Sequence, residues 1–348
     1  MNLNSDNTNR PVLIVPFVWI GDFVRCHSVV RLLRAQHPDR PVDIVSSTLC
    51  APIADYMPGV RKVIVSDQPR KRLGLAVQLD LAKRLRQHGY GQAIVMSRKW
   101  KAALAPLLAG IPVRTGFAGE ARFGLINDMR WGERDLARMI DQMGALALPK
   151  DGPAPAEWPL PELRVPENEL TRWRELRGLE RETRPIVTLS PGAVGAGKAW
   201  PPGHYAELAA ALAKSGVAVW VLGGPSETAI ARQITGAGGP AVRDLTGTDL
   251  RNAILALAAA NASVTNDSGL MHVSAAIGTP TIAIFGPTSP WHWKPLNPVS
   301  AILEPDNDQE ARMRARTEGN DAVRHRSTAG VAVETVLSAI RAELNRGR

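Results

Sequence analysis

Residues 261–290 read NASVTNDSGLMHVSAAIGTPTIAIFGPTSP, and the reading of this stretch decides the fold. Ala262 to Thr265 has the composition of a short strand, and Asn266-Asp267-Ser268-Gly269 is a polar turn. Leu270 to Ile277 has helical spacing, and Thr281 to Phe285 is the next strand. Such a unit offers free backbone N–H groups at a helix N-terminus, where the macrodipole favours an anion such as a phosphate. Gly269 lets a ligand approach the backbone closely. Asp267 and Ser268 are equally ordinary N-cap residues, so the local pattern alone leaves both readings open.

The same alternation of strand and helix runs outward in both directions. Upstream lie helical spacing over 167–179, a strand over Pro185–Ser190, a helix over 204–214, a strand over Val217–Leu222, and helices over 227–235 and 250–260. Trp291 to Pro298 reads as a loop and Val331 to Leu344 as an amphipathic closing helix. The first half repeats the theme: an apolar run at Pro11–Pro16, helical spacing over Phe23–Arg34, strands at 42–46, 63–65 and 93–96, and helices over 73–87 and 102–109. Alternation of this kind implies parallel sheets covered by helices on both faces. Between the halves, PKDGPAPAEWPLPELRVP carries six prolines from Pro149 to Pro166 and reads as a semi-rigid, extended linker. The expected architecture is therefore α/β, with Rossmann-like domains over 1–150 and 151–348. The sequence leaves open whether the closing helix packs back on the first domain.

A length of 348 residues, with 45% apolar and 22% charged, suits two soluble globular domains. No apolar run reaches the length of a membrane span, and the polar start MNLNSDNTNR lacks a signal region, so a cytoplasmic location is expected. Cys26 and Cys50 lack CxxC spacing and read as reduced structural thiols. Charge is unevenly placed: residues 61–101 hold eleven bases against two acids, a surplus equal to the whole chain's +9. A basic face of this kind suits a polyanion or an anionic membrane surface. Nucleic acid is disfavoured because no aromatic residues interleave with the bases as stacking platforms.

Several groups sit at strand ends or helix starts. The first strand–helix turn lacks GxGxxG but carries Gly21-Asp22, where a carboxylate serves either as a cap or as a base facing a ligand. Ser190, Gly192 and a glycine-rich loop lead to Lys198, which suits phosphates without matching a P-loop. Glu227 follows Gly223-Gly224-Pro225-Ser226 and is either a first-turn acid or a ribose ligand. His272 lies one turn into the helix opened by Ser268. HExxH and Cys/His metal spacings are missing, which points to metal-free chemistry, and Ser268 lacks a GxSxG elbow.

Gly21-Asp22, Lys198-Ala199-Trp200-Pro201, Gly223-Gly224-Pro225-Ser226-Glu227, Leu245-Thr246-Gly247, Asn266-Asp267-Ser268-Gly269-Leu270-Met271-His272 and Phe285-Gly286-Pro287-Thr288-Ser289-Pro290 occur in one order. Together they resemble the bacterial lipopolysaccharide heptosyltransferases of glycosyltransferase family 9, over nearly the whole chain. The segments Ala109–Gly116 and Arg122–Asp128 look most like the members that add the second heptose. The resemblance implies a GT-B architecture, two Rossmann-like domains facing a cleft. It implies inverting transfer of L-glycero-D-manno-heptose from ADP-heptose to the first heptose of the Kdo–lipid A core. Asp22 would be the base, and Lys198, Asp267, Ser268 and Gly269 would hold the leaving diphosphate with His272 assisting. Ser190 and Gly192 would line the donor loop, Glu227 would bind ribose, and Thr246 and Thr248 would border adenine. Arg98, Lys99, Lys101, Arg114 and Arg122 would meet the anionic acceptor, with the protein peripheral on the cytoplasmic face of the inner membrane. No cofactor or metal is expected. Other core positions, another sugar, or a sugar-nucleotide epimerase on the same scaffold are the alternatives. Ala199 departs from the family pattern after the lysine, and the polar stretch 307–328 matches poorly and has no assigned role.

Overall fold

A computed structural model of the chain describes residues 9–69, 73–150, 152–306 and 308–346. Residues 1–8 of the polar start, Arg70, Lys71 and Arg72 of the basic stretch, Asp151 of the linker and Asn307 lie outside the described residues. The chain forms two compact units, 1–161 and 162–348, so the division falls inside the proline-rich segment, eleven residues beyond the expected boundary.

In the first unit, β1 (Val12–Val15), β2 (Val42–Ser46), β3 (Val60–Val65), β4 (Gln92–Val95), β5 (Val113–Phe117) and β6 (Asp128–Arg130) form one sheet in the order β3-β2-β1-β4-β5-β6. Every pairing is parallel. The central strands are buried on both faces, which is why they read as unbroken apolar runs. The helical stretch expected over Phe23–Arg34 is two helices, α1 (Ile20–Arg25) and α2 (His27–Gln36), meeting at Cys26. Helix α3 (Leu75–Arg86) covers the sheet through Leu81, Ala82 and Leu85. After β6 comes α4 (Met139–Ala145).

The second unit opens with α5 (Glu167–Leu176) and repeats the plan. Strands β7 (Ile186–Ser190), β8 (Ala218–Val221), β9 (Val242–Asp244), β10 (Ala262–Asn266), β11 (Thr281–Ile284) and β12 (Ala301–Leu303) pair in the order β12-β11-β10-β7-β8-β9, again all parallel. The intervening helices are α6 (Pro202–Lys214), α7 (Thr228–Gly238), α8 (Leu250–Ala258), α9 (Gly269–Ile277), α10 (Gln309–Glu318) and the closing α11 (Val333–Arg346). Val187, Leu189, Val264, Ile282 and Ile284 point to one face, where α6 and α11 cover them. The closing helix thus spends Val336, Leu337 and Ile340 on the core of its own unit.

Both sheets reverse strand order beside their first strand, between β1 and β4 and between β7 and β10. The crevice beyond the carboxyl ends of strands at such a switch point is where open α/β sheets bind ligands. Strands β5, β6, β9 and β12 have no counterpart in the sequence reading, and β6, β9 and β12 are edges of their sheets. Strands β6 (Asp128-Met129-Arg130) and β9 (Val242-Arg243-Asp244) are three residues long and carry Asp and Arg, so their strand state comes from the pairing partner rather than from propensity. The expected loop at 291–298 begins with one helical turn, Pro290–Trp293. Among the described residues, no helix is long and apolar enough to cross a membrane.

The proline-rich segment is not a free spacer. Trp158 is buried and donates its indole N–H to Asp141 on α4 at 2.9 Å, and its ring lies where a Cβ on Gly144 would be, 2.1 Å away. Beyond the division, Leu163 is buried and its amide bonds the Ala276 carbonyl of α9 at 2.9 Å.

Candidate active site

In the second unit the switch point is built by the ends of β7 and β10. Ser190 ends β7, Asn266 ends β10, and Thr265 pairs in register with Ser190. Asn266 is fully buried and organises the surrounding loops. Its Nδ2 donates to the Pro191 carbonyl at 2.7 Å, while its Oδ1 accepts the Trp200 amide at 3.1 Å and the Tyr205 hydroxyl at 3.2 Å. One side chain therefore ties the Ser190–Gly192 loop to the segment carrying Lys198. Asn266 stood in the quoted sequence motif without a role; its burial at a strand end is a tertiary fact.

Lys198 Nζ lies 2.7 Å from Asp267 Oδ2, and Thr288 donates its hydroxyl to the same oxygen at 2.7 Å. Asp267 is thus an ion-pair partner and not a helix cap. Ser268 occupies the N-cap of α9 in extended backbone, and its side chain makes no capping hydrogen bond. His272 is buried in the first turn of that helix. The Ser190 and Thr265 hydroxyls are buried and have no hydrogen-bond partner among the described residues. Buried hydroxyls without partners are costly in a finished core, and at the mouth of a ligand crevice they suit a bound oxygen.

The Lys198 loop is held from behind by the stretch that matched poorly in sequence. The Thr328 hydroxyl faces the Gly197 carbonyl at 3.1 Å and the Ala199 carbonyl at 2.8 Å, bracketing Lys198. Arg326, buried, pairs with Glu304 at 2.9 Å and Asp306 at 2.7 Å, and Asn320 Oδ1 accepts the Ser289 amide and the Trp293 indole, each at 3.0 Å. Thr328, at the end of the stretch without an assigned role, therefore braces the loop, while Asn320 and Arg326 tie that stretch to residues 289–306.

Glu227 accepts from the Gly224 amide and from the Ser226 hydroxyl, each at 2.7 Å. Its carboxylate carbon would lie 3.1 Å from a Cβ on Gly192, so the missing side chain at Gly192 admits Glu227 against the donor loop. Thr246 donates both amide and hydroxyl to Asp244, at 2.8 and 2.6 Å, and the Thr248 hydroxyl donates to Leu245 at 3.0 Å. These threonines close a turn that the Gly247 amide joins to the Gly223 carbonyl at 3.1 Å. The structure thus brings Ser190, Gly192 and Glu227 together, with the Thr246–Thr248 turn beside Gly223.

In the first unit, Asp22 follows β1 and lies in α1, where Arg25 Nη1 donates to its Oδ1 at 2.8 Å. The nearby Cys26 thiol is pushed up by burial, with Cys50 and Asp22 adding to the effect. A separate cavity of about 720 Å³ opens beyond β4, β5 and β6, lined by Arg98, Lys99, Glu120, Arg130, Trp131 and Glu133 among others. Arg98 pairs there with Glu133 at 3.3 Å, and Lys99 pairs with Glu120. Lys101 donates to the Pro69 carbonyl at 2.7 Å.

Two arginines expected to meet the acceptor are engaged by backbone carbonyls of their own unit. Arg122 is 1% exposed and its guanidinium donates to the Phe117 and Ser97 carbonyls. Arg114 is also buried and donates to the carbonyls of Leu125 and Ile111 at 2.7 and 2.6 Å. Both cations hold the 111–127 loop together, and burial lowers both pKa values. A sequence cannot distinguish such arginines from ligand-binding ones, because the carbonyls that claim them carry no residue-type signature.

Comparison with known proteins agrees with this geometry. Residues 78–322 match the family model described as glycosyltransferase family 9 (heptosyltransferase). Lipopolysaccharide heptosyltransferase 2 of Escherichia coli K12 is 36% identical over 307 residues, covering 84% of this chain and 87% of the relative. Lipooligosaccharide heptosyltransferase 2 of Haemophilus influenzae is 35% identical over 304 residues, covering 84% and 88%. The solved E. coli ADP-heptose LPS heptosyltransferase II superposes with a TM-score of 0.83 at 32% identity, over 97% of this chain and 99% of that one. Its sheet order, its crevice residues and its sequence relatives place the chain in glycosyltransferase family 9, the heptosyltransferases.

Proposed function

We propose that the chain moves L-glycero-D-manno-heptose from ADP-heptose to the first heptose of the Kdo–lipid A inner core, inverting the anomeric centre. The observation that carries this reading is the Lys198–Asp267 pair at the N-terminus of α9, with the buried Ser190 hydroxyl at the end of β7 lacking a partner among the described residues. It is a site for a departing diphosphate in a chain whose heptosyltransferase 2 relatives align over 84% of its length.

Asp22 takes the proton of the acceptor hydroxyl, whose oxygen attacks the anomeric carbon on the face opposite the diphosphate. The bond from that carbon to the β-phosphate oxygen breaks, and ADP leaves with the electron pair. Lys198 and the amides opening α9 meet the developing charge. Asp267, held by Thr288, orients the ammonium, and His272 lends support from within the helix. Glu227 binds the ribose and the Thr246–Thr248 turn borders adenine. Since the lysine and the helix amides supply this charge, we propose a metal-independent reaction.

Arg98 and Lys99 line the first unit's cavity, and together with Lys101 they are proposed to meet the anionic acceptor. The basic surplus over 61–101 suits the anionic headgroups of the cytoplasmic leaflet, which supports a cytoplasmic, peripheral placement at the inner membrane. The epimerase alternative draws no support from the relatives, which carry transferase names.

The deciding experiment compares transfer from ADP-heptose to Kdo–lipid A carrying one heptose and to the same acceptor lacking it. Activity on the heptose-bearing acceptor alone is expected. Preference for the heptose-free acceptor would make this a first-step enzyme, and isomerisation of the donor without acceptor would restore the epimerase reading.

A further inference from the structure

Asp22 and Arg25 are three residues apart in α1, with side chains only 13% and 3% exposed. An ion pair this deep loses most of its hydration, and an apolar pair of the same volume often gives a more stable fold. The neighbours Phe23 and Val24 are buried apolar residues, so α1 packs by hydrophobic contact and needs no arginine for that purpose. The guanidinium also faces the carboxylate within one helical turn, at 2.8 Å, so the contact survives any motion of the helix as a body. The Cys26 thiol, next to Arg25 in the chain, is buried and feels both Asp22 and the buried Cys50. Cys50 is the cap residue before the Ala51–Ala54 turn, and its Sγ lies 3.9 Å from the Val18 carbonyl in the loop leading to α1.

We propose that Arg25 is a positioning residue for Asp22: its guanidinium fixes the carboxylate's rotamer beyond β1 and keeps it in the ionised, proton-accepting form. The inference rests on reading Asp22 as the base. It separates two properties of a good base. Orientation sets how often the carboxylate meets the acceptor hydroxyl. The cation also favours the charged carboxylate, which extends activity to lower pH.

Three variants test it, with ADP-heptose and the heptose-bearing acceptor as substrates and ADP titration and thermal melting as folding controls. Arg25→Met is expected to lower kcat by about tenfold or more with KM for ADP-heptose within about twofold, because donor contacts lie in other residues. Its acid limb in kcat/KM is expected to move up by about one pH unit, since the opposite charge is gone. Arg25→Lys keeps the charge without the planar fork, and is expected to restore the acid limb while recovering only part of kcat. Asp22→Asn is expected to be inactive while still binding ADP. If Arg25→Met retains both kcat and acid limb while Asp22→Asn is inactive, the positioning role is overturned and the base reading stands. If Asp22→Asn turns over normally, both fall together. Should Arg25→Met fail to fold, Arg25→Lys decides, because wild-type kcat in that variant overturns the role of the fork.

Discussion

Lys198 and Asp267 form an ion pair at 2.7 Å in which the lysine stays partly accessible, 21% exposed, while the aspartate is 8% exposed. The arrangement presents an oriented ammonium at a helix N-terminus. Lys198→Met is therefore expected to weaken ADP binding and to lower kcat by about a hundredfold or more, the scale found when one charge-stabilising donor is removed. Calorimetry with ADP and steady-state transfer check this. ADP affinity unchanged in the variant would remove Lys198 from the diphosphate site.

Thr328 acts on the same lysine through the backbone, since its hydroxyl faces the carbonyls on both sides of Lys198. Thr328→Val keeps the shape and loses the hydroxyl. A stability loss of about 1 kcal/mol is expected, with a larger proportional loss in kcat than in the melting temperature. A variant that loses stability but keeps full turnover would show that the brace is purely structural.

The buried arginines separate from the accessible ones by experiment. Arg122→Ala strands the carbonyls of Phe117 and Ser97 and leaves a cavity, so a loss of about 3 kcal/mol and a lower melting temperature are expected. Arg98→Ala removes a cation that is 57% exposed, so stability should change by less than about 1 kcal/mol. Its effect is expected in KM for the acceptor. The reverse pattern in the two variants would refute the assignment.

Gly144→Ala would ordinarily stabilise a helix by about 1 kcal/mol. Here the new methyl would meet the Trp158 ring at 2.1 Å, so the sign is expected to invert. Thermal melting with tryptophan fluorescence reads both the loss and the displaced indole. A more stable Gly144→Ala protein would show that the proline-rich segment does not dock on α4.

Burial alone would raise the Asp141 carboxyl, but hydrogen bonds from Arg138 and Trp158 outweigh it and hold it below the usual carboxylate range. A depressed carboxyl stabilises the fold fully above its unfolded value of about 4 and loses that contribution as pH falls through the folded value. Asp141→Asn is expected to flatten the stability curve below about pH 4 and to leave its slope near neutrality unchanged. An unaltered acid slope in the variant would mean that the pair contributes nothing to folding.

Sequence alone determined the two parallel α/β halves, because strands buried on both faces must be apolar runs and their crossovers must be helices. It also singled out Asp22, Asp267 and Ser268 as candidates, since strand ends and helix starts announce themselves through Gly, Asp and Ser. What only the tertiary structure decided is which polar groups are spent on the protein itself. Arg114 and Arg122 are consumed by backbone carbonyls, Asn266 knots two loops, and Arg25 folds onto Asp22. Strands β6 and β9 likewise exist because a neighbouring strand offers hydrogen bonds, not because their residues prefer that state. Hydrophobic periodicity is written along the chain, whereas a polar side chain's partner is set by residues that fold to it from far away. Thr328 reaches the Lys198 loop across 129 residues of sequence, and no local pattern encodes that contact.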